Sequence, residues 1–268
     1  MVVISRFRSL WGVEPGPQQS EWKKKFVEWK AHGYAGIEID FAGMSPEELQ
    51  LLRRICDEVG LETSVTLFSS WPKYIGRRPR GLAPDDHAEF FRSQLKLASI
   101  LKPVRINAQS GADHFSWDES VAFYKKALQV EKEEGFDGRV CHETHRNRSL
   151  FNPYAADYIL QKVPGLTITA DISHWVVVSE RLLDVNEEDQ EILARVIPHA
   201  RLTFAHPINP WQPILTLAFS LGRPHSHPHG HNASLTMSRP PRSSLRRRAR
   251  ILREILAGHC EAQAGDGS

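Results

Sequence analysis

Residues 139–175 read RVCHETHRNRSLFNPYAADYILQKVPGLTITADISHW, and this stretch decides the fold. Arg139 to Glu143 has the short, partly β-branched character of a buried strand. Pro153 to Lys162 then reads as a helix. Pro164-Gly165 breaks the helix, and Leu166 to Asp171 gives a second strand. Strand, helix and strand within so few residues form a crossover unit, which makes neighbouring strands parallel. Both strands end in a carboxylate, Glu143 and Asp171, with histidines close by.

The same alternation extends outward. Towards the N-terminus lie a fourth strand at Val104–Asn107 with a helix at Asp118–Glu134, and a third strand at Leu61–Leu67 with a helix at Asp86–Leu101. Before these come Ile37–Phe41 and a helix that opens at Ser45-Pro46-Glu47-Glu48 and stops at Gly60. The first unit is Val2-Val3-Ile4 with a helix at Glu21–Ala31. Towards the C-terminus a helix at Glu187–Val196 leads into a seventh strand, Arg201–Ala205. No GxGxxG follows the first strand and no GxxxxGK[ST] occurs, so a closed α/β barrel is favoured over a doubly wound sheet.

Composition changes after residue 206. The whole chain carries +2. Residues 207–268 hold eight arginines, no lysine and three acids, a charge of +5, which leaves −3 for residues 1–206. The histidines alternate in PHSHPHGH (224–231), and no clean eighth strand and helix can be placed. Residues 1–206 are thus read as the barrel. Residues 207–268 are read as an atypical Pro/His/Arg-rich tail, either partly disordered or the product of a misplaced splice or frame boundary. A barrel lacking its eighth unit would leave the edges of the first and seventh strands open, so a homo-oligomer is one expected outcome.

Three widely spaced cysteines argue against a disulfide framework and for a reducing, cytoplasmic setting. No secretory signal and no membrane span are read, and the near-neutral charge gives no reason to expect nucleic acid.

In a parallel barrel, chemistry collects at the C-terminal ends of the strands. Those ends hold Trp11, Glu38, Asp40, Trp71, Asn107, Gln109, Glu143, His145, Arg146, Asp171, His174, Trp175 and His206. Carboxylates at adjacent strand ends repel unless a proton or cation joins them. Oxygen and imidazole donors together suit a divalent metal such as Mn, Mg, Co or Zn. Pairing of the carboxylates with Arg105, Arg146 or Arg148 is the alternative. Asn107, Gln109 and Arg146 are candidate contacts for substrate, and Trp11, Trp71 and Trp175 a candidate apolar wall. Of His142 and His145, at least one should point away from the mouth. His32, His87, His114 and His199 are read as solvated, and so is the Arg246–Arg250 run. The histidines of 225–231 could bind metal adventitiously.

CHETHR…FNPY followed by TADISHW…ERLL resembles the xylose-isomerase-like barrels of the sugar phosphate isomerase/epimerase superfamily, over residues 1–206. The resemblance implies a (β/α)8 TIM-type barrel, here incomplete at its eighth unit. It implies one divalent metal held by Glu143, Asp171 and His206, with a further glutamate on the eighth strand that has no counterpart in this chain. It further implies that His174 meets a substrate hydroxyl or the metal-bound water. The expected activity is a metal-dependent isomerase or epimerase of a small polyhydroxy substrate, working through an enediolate, with Glu143 as base and His174 orienting an oxygen. Two alternatives stand beside it: a truncated or impaired barrel relic, and a metal endonuclease of the abasic-site type, which would need histidines at the second and third strand ends that IEIDF and VTLFSSW lack.

Overall fold

The computed structural model describes residues 2–10, 19–183, 185–205 and 215–221. Seven strands follow one another in parallel: β1 (Val2–Ser9), β2 (Gly36–Asp40), β3 (Glu62–Phe68), β4 (Arg105–Gln109), β5 (Val140–Glu143), β6 (Ile168–Ala170) and β7 (Ala200–Ala205). Between them run α1 (Gln19–Ala31), α2 (Pro46–Val59), α3 (Pro84–Ala98), α4 (Trp117–Glu133), α5 (Pro153–Lys162), α6 (Ile172–Ser179) and α7 (Glu187–Val196).

An eighth strand, β8 (Leu215–Leu221), closes the sheet into a barrel. It does not continue the repeat. It runs antiparallel to both neighbours, pairing Ala218 with Ser5 on β1 and with Leu202 on β7. The seven parallel units expected are present, and among the described residues no parallel eighth strand continues them. The expected open edges of the first and seventh strands are instead occupied by a strand from the stretch read as tail. Trp11, His206, the 225–231 histidines, the arginine run and Cys260 lie outside the described residues.

Local chemistry explains the elements. Ser45 caps α2 by accepting from the Glu48 backbone, while Glu48 accepts from the Ser45 backbone in return. Ser116 and Glu119 do the same for α4. Gly36 is needed for space: a Cβ there would lie 2.3 Å from the Glu62 carbonyl oxygen and 2.5 Å from the Phe7 ring. α6 was not foreseen, because its Val176-Val177-Val178 run favours strand.

The main core lies between sheet and helices and includes Phe26, Ile37, Leu49, Leu67, Phe91, Ile106, Phe123 and Leu166. A small cluster of Phe7, Cys141 and Leu202 is separate from it. The alternation of β5 turns His142 towards α3 and α4, where it meets Phe91, Tyr124 and Glu131, and turns Glu143 the other way. Among the described residues no helix is long and apolar enough to cross a membrane. Cys56 and Cys141 are unpaired, and burial pushes their thiols up to about 12 and about 11.

Candidate metal centre at the strand ends

Glu143 is the last residue of β5 and is buried. Its Oε2 accepts from Asn107 Nδ2 at 2.6 Å and from Gln109 Nε2 at 2.9 Å, both on β4. Its Oε1 lies 3.8 Å from His174 Nε2. Asp171 follows β6 and caps α6, its Oδ1 accepting from the Ser173 backbone at 3.1 Å and the Ser173 hydroxyl at 2.5 Å. Its Oδ2 is also 3.8 Å from His174 Nε2. Each carboxylate thus has one oxygen held by neighbours and the other turned to the same imidazole nitrogen. Thr144 ties the two strand ends together, donating to the Asp171 carbonyl and accepting from its amide.

The charge pattern is strained. Burial pushes the Glu143 carboxyl up to about 8, and the neighbouring Asp171 and Glu38 add to the rise, against the amide hydrogen bonds of Asn107 and Gln109. Glu38, at the second strand end, is buried and accepts from the Thr66 hydroxyl at 3.0 Å. Three carboxylates thus gather at one mouth, and among the described residues no arginine donates to Glu143. Arg105 donates to the Gly138 carbonyl, and Arg148 to the Tyr74 hydroxyl, Ser70 and the Gly111 carbonyl. Among the described residues, Asn107 Oδ1 is a buried acceptor that no donor reaches.

The β3–α3 loop covers this mouth. Tyr74 donates to Gln109 Oε1 at 2.8 Å, lies 2.9 Å from His145 Nδ1 and accepts from Arg148 Nε at 3.1 Å. Its ring stacks on His145, with centroids 5.2 Å apart and an interplanar angle of 7°. Burial pushes the phenol up to about 12, so it stays a donor. Trp71, Lys73 and Tyr74 all have positive φ, a conformation that side chains resist.

The sequence-derived candidates separate accordingly. Glu143, Asp171, His174, Asn107 and Gln109 come together. Trp71 sits half-buried beside Tyr74, and Arg146 is exposed at the rim. Trp175 is a correction: it is fully buried, its indole donates to the Leu150 carbonyl at 2.9 Å, and it is a core side chain that cannot line a sugar pocket. His87 is another, being buried with its Nδ1 2.9 Å from the Ser69 hydroxyl. His199 is half-buried against the Leu166 carbonyl, while His32 and His114 are exposed. Tyr74 and Arg148 were missed as site residues. Tyr74 sits in WPKYIG, where nothing in the sequence signals that the loop folds back over the fourth and fifth strands.

Residues 26–209 match the model of the xylose isomerase-like TIM barrel. The chain belongs to that family. No curated protein sequence matches this xylose isomerase-like chain. Its fold is similar to that of a sugar phosphate isomerase/epimerase from Parabacteroides distasonis, with 12% identity, a TM-score of 0.52, and coverage of 76% of this chain and 77% of that one. It is also similar to D-allulose 3-epimerase from Methylomonas sp., with 12% identity, a TM-score of 0.51, and coverage of 74% and 72%. At that identity the likeness is one of fold, the fold on which sugar isomerases and epimerases are built.

Proposed function

We propose that this barrel is a divalent-metal-dependent isomerase or epimerase acting on a small hydroxy-carbonyl compound such as a sugar. One observation carries the reading: Glu143 and Asp171 each hold one oxygen against protein donors and turn the other to within 3.8 Å of His174 Nε2. Buried carboxylates side by side fit a cation site, and mixed carboxylate and imidazole donors fit a divalent metal. Glu143 and Asp171 are the ligands in this reading, with His206, outside the described residues, as the third. When bound, such an ion supplies Lewis-acid stabilisation of adjacent substrate oxygens.

The rest of the chemistry belongs to the protein. Glu143 takes the proton from the carbon beside the carbonyl, leaving an enediolate. Asn107 and Gln109 aim the Glu143 carboxylate by donating to Oε2. His174 orients the substrate oxygen. Asn107 Oδ1 offers an acceptor for a substrate hydroxyl. Trp71 supplies an apolar face and Arg146 a rim contact. The substrate is a small polyhydroxy molecule rather than nucleic acid.

The test is deuterium exchange from D2O into a panel of ketoses and aldoses, with Mn²⁺ or Co²⁺ present. The wild type should exchange the proton next to the carbonyl. Glu143→Gln should lose about 1,000-fold or more of that rate with its fold intact. Full exchange by Glu143→Gln would sink the assignment.

One observation favours a second reading, a barrel that binds metal without turnover. The eighth strand is antiparallel, and its sequence LTLAFSL carries no carboxylate. Metal binding without exchange on any hydroxy-carbonyl compound would support it.

A further inference from the structure

A third donor reaches the same point from just beyond β5. Glu143, His145 and His174 each place one ligand atom within 4.8 Å of the other two. His145 is buried, and its ring centroid is 3.9 Å from that of His174. Beyond Glu143 the chain leaves the strand and Thr144 bonds to the backbone of Asp171, so His145 returns to the mouth although His142 points away.

Its Nδ1 is in close contact with the Arg146 carbonyl and lies beside the Tyr74 hydroxyl. A carbonyl only accepts, so Nδ1 carries the proton and Nε2 keeps the lone pair. Metal-binding histidines are commonly held this way, with the second nitrogen donating to a backbone carbonyl. The stacked Tyr74 ring fixes the plane.

We propose that His145 is a metal ligand beside Glu143, and that His174, given above to the substrate oxygen, binds the ion instead, in a centre that takes Zn²⁺ or Co²⁺ in preference to Mg²⁺. This rests on the metal-dependent reading above and goes beyond it. The family pattern assigns its ligands to the fifth to eighth strands. Here the eighth strand is antiparallel and without a carboxylate, and an imidazole from just beyond the fifth strand takes the vacant role. Adding imidazole to a carboxylate site shifts preference from hard cations towards borderline ones.

The test uses the full chain, stripped with EDTA. Zn²⁺ and Mg²⁺ binding is followed by calorimetry and Co²⁺ binding by visible absorption. Zn²⁺ should bind about 100-fold or more tighter than Mg²⁺. His145→Asn should weaken Zn²⁺ by roughly 100-fold and change the Co²⁺ bands, with its circular dichroism unchanged. If that variant unfolds, pulsed EPR of the Cu²⁺-loaded His206→Asn chain replaces it. Two coupled imidazoles support the proposal and one overturns it. Zn²⁺ affinity unchanged in folded His145→Asn also overturns it, yet leaves the isomerase reading standing if the wild type exchanges deuterium. Binding that depends on His145 in a chain without exchange keeps the ligand and sinks the activity. No Zn²⁺ binding by the wild type overturns both.

Discussion

Glu143 shows the conflict between stability and chemistry at a single side chain. Its burial and its nearness to Asp171 disfavour the charged form. Glutamine keeps an acceptor for Asn107 and Gln109 and removes the repulsion. In EDTA-treated protein, Glu143→Gln should therefore raise stability by about 1 kcal/mol. Urea denaturation reads this, and a lower midpoint for the variant would show that the charge is already balanced in the protein. His87 carries a pH dependence of its own. Burial, assisted by Arg148, lowers it from 6.5 to about 4. It faces the Ser69 hydroxyl and the rings of Phe115 and Phe123. The unfolded chain binds this proton at the higher pH, so the folded state is fully favoured above about 6.5 and loses stability as pH falls towards 4. The loss should reach about 3 kcal/mol by pH 4. Comparison with His87→Gln between pH 7 and pH 4 isolates it, and parallel profiles for the two proteins would rule His87 out as the source. Nothing in DDHAEFF marks His87 as buried, because its burial depends on where Ser69 and Phe115 arrive from other loops.

At the scale of elements, the β3–α3 loop is held by the Tyr74 hydroxyl together with Arg148 on Ser70 and Arg78 on Asp113. Tyr74 joins Arg148, Gln109 and His145, and the neighbouring positive-φ residues are kept in place by those bonds. Tyr74→Phe leaves Arg148 Nε and Gln109 Oε1 short of a partner. It should cost about 1–3 kcal/mol. It should also speed tryptic cleavage after Arg77 and Arg80, both in the same loop. Unchanged cleavage would show that the remaining contacts hold the loop. The parallel units were legible in the sequence because caps and strand runs repeat: Ser45 with Glu48, and carboxylates at the ends of β5 and β6, mark their own positions. The Glu143–Asp171–His174 grouping followed from that alternation. The inward turn of His145 did not, because it follows from the Thr144–Asp171 bonds across two strands. Nor did α6, whose β-branched residues suit a strand in isolation and whose helical start depends on Asp171 as cap.

The whole molecule closes by a device that repeat reading cannot see. A parallel eighth strand would announce itself with a helix and turn signals. β8 needs neither, because an antiparallel strand can enter between β1 and β7 and complete both ladders with backbone alone. Closure matters energetically: without β8 the barrel would present two unpaired edges, each a template for association. Ala218 sits at the middle of the β1 ladder, paired with Ser5, and at the end of the β7 ladder, paired with Leu202. Proline there has no N–H to donate and does not fit an interior strand. Ala218→Pro should cost about 3 kcal/mol or more and drive concentration-dependent association through the freed edges. Hydrogen exchange on the wild type should show amides of 215–218 protected as strongly as those of β4 and β5, since a strand bonded on both sides opens only with the barrel. Rapid exchange at 215–218 together with a neutral Ala218→Pro would mean that β1 and β7 are closed in solution by something other than β8.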